Sequence, residues 1–304
     1  MSDKNNPTIS SSRVTSMLVL TTFLWGGSFV FNKLGFRDIP PVNFMFLRFV
    51  LATLIMTIVC LPRLRRIDRS VMGKGTVVGL ALAAANISFV FGLSGTTASR
   101  AGFLNNLFVL LIPLLCYLVW RERIDIWSFF GISMALAGLW LLARGGAEGF
   151  SHGDLLSTVC ALFIAIQIIG VSKVLRNDDV YLVSLVQFAV AAVAGGILCL
   201  FIPARPFHIG LLSAGSLLYC AIFPTVICFT LQNKYQRYTT PTKAGLIYTL
   251  DPVWSMLGGM VVLGERMNGK EWVGCGFIFG AVAIPMLIRR YREWRIGIDY
   301  RRAV

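Results

Sequence analysis

Charged residues are scarce in this chain. They make up 14% of its 304 residues, whereas a soluble globular domain carries roughly 25%. With 56% hydrophobic residues, the chain lacks the polar side chains that would cover a water-facing surface. The composition therefore excludes an ordinary soluble domain, and the mean hydropathy of +0.74 indicates a membrane protein.

Histidine and acidic residues are also rare, with 2 and 14 copies. The histidines, His152 and His208, fall in predicted links between apolar segments, and the carboxylates are scattered. An enzyme site in the membrane would need a cluster of His, Asp, Glu or Ser side chains. The sequence also lacks a Walker-type phosphate-binding loop. It therefore predicts neither an enzyme nor an ATP-driven pump.

The seven cysteines lie in apolar runs without the paired spacing of a metal site. We therefore expect small buried residues there, and no metal or cofactor. The formal net charge of +14 does not indicate nucleic-acid binding, because Lys and Arg crowd the helix ends and the C-terminal tail. Basic residues are not interleaved with exposed aromatic residues, so no nucleic-acid partner is expected.

Long apolar runs, by contrast, occupy most of the chain. Their length of about twenty residues matches a helix that crosses a bilayer. The sequence predicts an all-α polytopic membrane protein with ten transmembrane helices, over residues 17–36, 42–61, 75–94, 100–120, 126–143, 154–174, 180–202, 210–232, 242–263 and 272–289.

The basic residues predict how the chain enters the membrane. Most of the 28 Lys and Arg residues lie in both tails and in one alternate set of links. The positive-inside rule therefore places both termini in the cytoplasm. The polar residues 1–16 lack the pattern of a cleaved signal peptide and are predicted to remain as a tail. Residues 290–304 form a basic cytoplasmic tail.

The chain contains an internal duplication. Residues 96–123 (TTASRAGFLNNLFVLLIPLLCYLVWRER) and 239–266 (TTPTKAGLIYTLDPVWSMLGGMVVLGER) share several identities at an offset of 143 residues. Each half holds five segments, so the second half, 154–289, enters the membrane from the face opposite to the first, 17–143. The sequence thus predicts two inverted five-helix repeats, an architecture of many secondary transporters.

Several short motifs of the chain resemble those of a known family. These motifs are WGGSF at 25–29, Arg48-Phe49, Glu122-Arg123, Asp251-Pro252 and Gly264-Glu265 followed by Gly274. Through them the chain resembles the EamA-like branch of the drug/metabolite transporter superfamily over essentially its whole length. The resemblance implies ten helices in the inner membrane of a bacterium and export of a small metabolite, with an amino acid or related compound as the first expectation.

The two halves differ around their prolines. Pro113 lies nine residues before Glu122, whereas Pro252 lies thirteen before Glu265. Prolines in apolar helices permit kinks, so both are candidate hinges. Glu122 and Glu265 end their helices and are candidate gates. The alternatives are tolerated bends and solvated ion pairs with the neighbouring arginines.

Polar side chains deep in the apolar segments are the candidate substrate contacts, because a polar group in a membrane is costly. They are Trp25, Arg48, Asn86, Asn105, Gln167, Gln187, Tyr248 and Asp251, with Asn32 and Asn106 as further candidates. Asn105 and Asn106 point about 100° apart on a helix, so they cannot both face one cavity squarely. The Asn and Gln residues individually fit interhelical hydrogen bonds equally well.

Arg48 and Asp251 place charges inside predicted helices. Arg48 would contact a substrate carboxylate or phosphate, pair with Asp251, or snorkel to the lipid headgroups. Asp251, where the family often has Glu, would bind a proton, a cation or a substrate ammonium, or fix the kink at Pro252. Its counterpart in the first half is Phe108, so the acid is not part of the duplicated scaffold.

These features favour a secondary transporter that moves a small polar or amphipathic metabolite by alternating access. Its partners are the solute and membrane lipids, and it is expected to be a monomer or a homodimer. Three alternatives stay open. One is a cationic drug or quaternary amine, held beside Asp251 by cation–π contacts with Trp25 and Tyr248. The second is proton coupling through Asp251 instead of facilitated diffusion, and the third is a scaffold or channel.

Overall fold

The computed structural model describes residues 10–95, 98–142, 151–175, 178–202, 206–263 and 269–303. These ranges hold thirteen α-helices and no strand: α1 (Ser11–Gly35), α2 (Pro41–Cys60), α3 (Arg69–Ser94), α4 (Ala98–Asn106), α5 (Phe108–Trp120), α6 (Ile126–Leu142), α7 (His152–Val174), α8 (Val180–Phe201), α9 (Leu211–Cys220), α10 (Cys228–Tyr235), α11 (Pro241–Tyr248), α12 (Asp251–Leu263) and α13 (Gly269–Ala303). Short 3-10 helices follow α2 (Leu61–Arg66) and α10 (Gln236–Tyr238), and a π-helical turn, Ala221–Ile227, joins α9 to α10.

Within the described ranges, seven helical stretches are long and apolar enough to cross a membrane: Ser11–Asn32, Pro41–Arg66, Arg69–Leu93, Ala101–Trp120, His152–Val174, Val180–Phe201 and Leu211–Tyr238. A shorter apolar helix covers Ile126–Leu142. Large apolar side chains such as Leu200, Leu211 and Val261 stay exposed, as a lipid-facing surface requires. The predicted all-helical, multi-pass class is confirmed, whereas the count of ten spans stays a prediction.

The starts of several helices follow from short polar side chains just ahead of the apolar runs. Asp68, Asp179 and Thr240 each accept a hydrogen bond from a backbone N–H in the first turn of α3, α8 and α11. Ser151 and Asp154 form a capping box at the start of α7. Such caps satisfy N–H groups that have no partner within the helix.

Two segments predicted as continuous helices are interrupted at equivalent positions of the duplication. The fourth breaks at Leu107, between α4 and α5, and the ninth breaks at Thr249 and Leu250, between α11 and α12. At or next to each break, a side chain donates a hydrogen bond to a carbonyl oxygen of the preceding helix. Asn106 donates to the carbonyl oxygen of Gly102 at 2.9 Å, and Thr249 donates to that of Leu246 at 2.6 Å. These bonds compete with the regular backbone ladder.

The two candidate hinge prolines lie differently relative to these breaks. Pro252 lies in the first turn of α12, where a proline loses no intrahelical hydrogen bond. Pro113 lies inside α5 and is buried, so the helix carbonyl one turn earlier loses its usual donor. The interruption of the fourth segment thus precedes Pro113, and the hinge role of both prolines stays a prediction.

Two large apolar clusters and a small third one form the core of the bundle. The first large cluster joins α1, α5, α6, α7, α10, α11, α12 and α13, and the second joins α2, α3, α7, α8 and α10. Trp25 of α1 packs against both large clusters. The side chain of Trp25 therefore lies where these two clusters meet, and a cavity opens beside it.

Candidate functional site

A cavity of about 180 Å³ lies between α1, α3, α5, α7, α10, α11 and α12. Five of the residues predicted from depth in the sequence line it: Trp25, Asn86, Gln167, Tyr248 and Asp251. Most of the remaining wall is apolar or aromatic, and Asp251 is its one charged side chain among the described residues. The wall thus combines a single acid with amides and rings.

Asp251 owes its position to the break in the ninth segment. It is the first residue of α12, directly after the interruption at Leu250. Its Oδ1 atom is buried and has no hydrogen-bond partner within the described part of the chain. A buried polar oxygen without a partner is unfavourable, so this atom is suited to a donor or cation that arrives from the cavity.

Phe108 holds the equivalent place in the first half. It is the first residue of α5, directly after the interruption at Leu107. It also lines the cavity, with a side chain that is 6% exposed. The two breaks therefore each bring one residue to the same cavity, an acid from one half and a phenyl ring from the other.

Aromatic side chains form one side of the cavity. The Trp25 ring lies edge-on to Tyr248, with centroids 5.3 Å apart, and is tilted against Phe229 at 5.4 Å. Trp25 Nε1 donates to the Pro224 carbonyl at 2.9 Å, which connects α1 to the π-helical turn. Aromatic rings that line a cavity together with an acid attract organic cations.

A network of buried amides continues the wall toward the end of α10. Gln167 and Gln232 bond each other through both side-chain atoms, at 3.2 Å in each direction. Gln232 Nε2 and Tyr248 Oη both donate to Gln236 Oε1, each at 2.9 Å. The sequence interpretation missed Gln232 and Gln236. Their spacing of four, on one helix face at the end of the eighth segment, was the available signal.

A second amide network lies outside the cavity wall. Asn233 Nδ2 donates to Gln187 Oε1 and to Ser184 Oγ, both at 2.9 Å. Gln187 and Asn233 are 0% exposed, and neither lines the cavity. For Gln187 the structure thus shows an interhelical hydrogen bond between α8 and α10. Asn105 and Asn106 are buried in α4 and do not line the cavity either.

Arg48 lies apart from the cavity wall. Its Nε donates to Thr225 Oγ1 at 2.7 Å, and that hydroxyl donates to the Cys220 carbonyl at 2.7 Å. No ion pair joins Arg48 to Asp251 in the described ranges. The guanidinium instead ties α2 to the π-helical turn. Asn32 also contacts this region, since its Oδ1 accepts from Cys220 Sγ at 3.6 Å.

Ion pairs cluster at the end of the bundle that the sequence places in the cytoplasm. Lys74 bonds both carboxylate oxygens of Asp178, at 2.9 and 3.0 Å, and Lys173 pairs with Glu122. Each pair joins a helix residue of one half, Lys74 in α3 or Lys173 in α7, to a link residue of the other half. Glu122 is therefore in an ion pair across the halves, whereas Glu265 lies outside the described residues.

The family model of EamA-like transporters matches this chain twice, over residues 13–144 and over residues 151–287. The chain belongs to the EamA-like transporter family. The resemblance seen in the sequence motifs is thereby confirmed. As an EamA-like protein the chain is a membrane transporter, which fits its apolar helices and does not indicate an enzyme.

Curated relatives carry the same general description. An uncharacterized transporter of Archaeoglobus fulgidus is 29% identical over 270 residues, covering 89% of this chain and 84% of that protein. A probable amino-acid metabolite efflux pump of Escherichia coli is 23% identical over 306 residues, covering 91% of this chain and 96% of that protein. The uncharacterized inner membrane transporter YedA of Escherichia coli is 23% identical, with 87% of each chain covered.

A crystal structure with 22% sequence identity superposes on the EamA-like chain with a TM-score of 0.77. The match covers 93% of this chain and 100% of the other chain. At this level of identity the likeness concerns the fold alone.

Proposed function

We propose that this EamA-like transporter exports a small amine-bearing metabolite, an amino acid or a related compound, across the cytoplasmic membrane by alternating access. The observation that carries the proposal is the unpartnered carboxylate oxygen of Asp251 in the cavity wall. Lys and Arg are missing from that wall among the described residues. A substrate ammonium would therefore meet the carboxylate without competition from a protein cation.

The surroundings of Asp251 also suit such a solute. Rings of Trp25, Phe108 and Tyr248 line the cavity and would contact an apolar or aromatic side chain of the substrate. Its volume of about 180 Å³ favours a small molecule. The name of one Escherichia coli relative, a probable amino-acid metabolite efflux pump, agrees with an amine-bearing substrate.

Alternating access requires two halves that can rock, and we propose that residues 17–143 and 154–289 are inverted repeats of a ten-span protein. Two glycine contacts between α6 and α13 support this. A Cβ on Gly131 would lie 2.9 Å from the Ala281 carbonyl oxygen, and a Cβ on Gly274 would lie 2.8 Å from that of Gly138. The duplication converts one pair into the other, as a pseudo-two-fold axis requires.

Both termini then lie in the cytoplasm, and the ion pairs at that end close the cavity toward the cytoplasm. Lys74–Asp178, Arg63–Asp179 and Lys173–Glu122 join the two halves there. They would separate when the transporter opens inward. The Arg63–Asp179 and Lys173–Glu122 pairs are partly exposed, and exposed pairs are worth only about 0.2–1 kcal/mol each, so their opening is compatible with rapid exchange.

Counterflow into proteoliposomes tests the transport proposal directly. Purified protein is reconstituted, and labelled L-phenylalanine, L-leucine, phenylethylamine, choline and succinate are each offered against the same unlabelled solute inside. We expect saturable exchange of at least one amine-bearing solute and none of succinate. Protein-free liposomes are the control. If no solute of the panel exchanges above that control, the proposal is wrong.

A quaternary amine or cationic drug is the second candidate, and it is favoured by the rings of Trp25 and Tyr248, which line the same cavity as Asp251. In that case choline would exchange faster than phenylethylamine. Proton coupling at Asp251 is the other open point. Uptake driven by an acidic liposome interior, and abolished when the pH is equal on both sides, would establish it.

Replacing Arg48 with Ala is expected to lower the maximal exchange rate about tenfold and to leave the half-saturation concentration near the wild-type value. The reason is that Arg48 bonds Thr225 of the π-helical turn and does not line the cavity, while a hydrogen bond from a charged group contributes about 1.5–3 kcal/mol. Initial counterflow rates over a range of substrate concentrations separate the two parameters. A selective rise in half-saturation would instead make Arg48 a substrate contact.

A further inference from the structure

Most hydrogen-bond donors in the cavity wall bond to the protein itself. Trp25 Nε1 donates to a backbone carbonyl of the π-helical turn. Asn86 Nδ2 and Cys160 Sγ donate to backbone carbonyls of α3, at 2.9 and 3.2 Å. The only side-chain donors of Trp25 and Cys160 are thus engaged, and Asn86 and Gln167 each have one of two N–H groups engaged.

Gln236 does not line the cavity itself, but it bonds two side chains that do, Gln232 and Tyr248. Its Nε2 donates to the Ile168 carbonyl at 2.6 Å and to Ser172 Oγ at 2.9 Å. A backbone carbonyl only accepts hydrogen bonds, so the amide nitrogen must face Ile168. Its Oε1 must then face Tyr248 and Gln232, from which it accepts at 2.9 Å each. All four hydrogen-bonding positions of this fully buried amide are filled.

The fixed orientation of Gln236 determines what the cavity offers. Tyr248 uses its single hydroxyl proton on Gln236, so its oxygen can only accept a further bond. Gln232 uses both N–H groups, on Gln236 and on Gln167, and its Oε1 keeps a free lone pair. With Asp251 Oδ1, three side chains of the wall present acceptors.

We propose that this cavity selects a protonated primary amine over a quaternary ammonium, and that Gln236 is the positioning residue that sets this preference. The proposal rests on the amine-transport function above and specifies its substrate class. A primary ammonium brings three N–H donors, which match an acceptor-rich wall. A quaternary ammonium brings none and would leave the same acceptors desolvated and unpaired, which is the stronger source of discrimination.

A matched pair of solutes tests this selectivity. Phenylethylamine and its N,N,N-trimethyl derivative share the ring and the charge and differ in their N–H donors. Each is used to compete with labelled phenylethylamine in counterflow by the full-length protein. We expect the primary amine to half-saturate at a concentration at least about tenfold lower than the trimethyl compound, as loss of charge-assisted hydrogen bonds implies.

Variants then assign the preference to Gln236. Gln236→Leu is expected to bring the ratio of the two half-saturation concentrations close to one, and Tyr248→Phe to lower it in part with a smaller structural change. Asn233→Leu is the control. Asn233 is equally buried and lies three residues before Gln236, near the end of α10. It bonds Ser184 and Gln187, which do not line the cavity. A purely structural effect would move this variant as much as the Gln236 variant.

Three results would overturn the proposal. A trimethyl compound that competes as well as phenylethylamine in the wild type removes the selectivity while the amine-transport function stands. An unchanged ratio in both Gln236→Leu and Tyr248→Phe removes the role of the oriented acceptors. Failure of every amine in the panel to exchange removes the proposed function, and the selectivity with it.

Discussion

Asp251→Asn is expected to lower amine exchange at least about 100-fold while the protein stays folded and monodisperse in detergent. The substitution keeps the shape of the side chain and removes its charge. Ion pairing in a water-poor cavity is worth several kcal/mol more than the hydrogen bond that an amide would make in its place, and about 2.7 kcal/mol corresponds to 100-fold. Counterflow of phenylethylamine over a concentration series measures the change.

Stability provides the matching readout for Asp251. Because its Oδ1 has no partner among the described residues, removing the charge leaves no other buried group unpaired. The melting temperature should therefore be unchanged or higher. Asp251→Glu keeps the charge and is expected to retain part of the exchange. If Asp251→Asn exchanged phenylethylamine with wild-type half-saturation, the acid would not belong to the substrate site.

Gly26→Ala is expected to destabilise the protein by about 3 kcal/mol, at the upper end for an overpacked site. A Cβ on Gly26 would lie 2.4 Å from Trp254 Cβ and 2.9 Å from the Ser255 backbone nitrogen. These atoms belong to the framework of α12 and cannot rotate away. The α1 helix would have to move outward, which would strain the bond from Trp254 Nε1 to Thr22 Oγ1, now 3.0 Å.

The next residue supplies the control for Gly26. A Cβ on Gly27 would lie 2.7 Å from Tyr219 Oη, the far end of a flexible side chain, and its next neighbour is 3.7 Å away. Gly27→Ala should therefore fold normally, with a melting temperature within a few degrees of wild type. Thermal unfolding of both variants in the same detergent decides the point. Equal melting temperatures would show that α1 and α12 pack less tightly than the glycine contact implies.

The helical class and the multi-pass character could be predicted because lipid requires long apolar helices, which hydropathy detects directly. The positions of the helix starts depend in part on short polar caps such as Ser151 and Asp179, which hydropathy alone does not locate. The breaks at Leu107 and Leu250 were not predicted. Proline is the sequence signal for a kink, whereas the breaks themselves are accompanied by side chains that bond helix carbonyls, Asn106 in the first half and Thr249 in the second.

The candidate site could be predicted in part, because a polar residue deep in an apolar segment is rare and can be recognised. Depth identified Trp25 and Asp251 at the cavity wall. The depth of a residue in its segment does not distinguish these two wall residues from Gln187, which bonds Asn233 on another helix. It also missed Gln236, which lies beyond the predicted end of its segment. Which face of a helix meets which neighbour depends on tertiary packing, and the apolar pattern along one helix does not reveal it.

Phe108 and Asp251 are the first residues of α5 and α12, which have equivalent places in the duplication, and both line the same cavity. Exchanging the conformations of the two halves would therefore not give a binding site with the same side chains. The outward-facing and inward-facing states of the proposed cycle therefore hold their solute with different strength. Detailed balance requires an uncoupled carrier to keep one ratio of maximal velocity to Michaelis constant in both directions. If the protein follows the proposed cycle, zero-trans efflux and influx should differ in maximal velocity and in Michaelis constant separately and agree in their quotient, as expected of a kinetically asymmetric carrier.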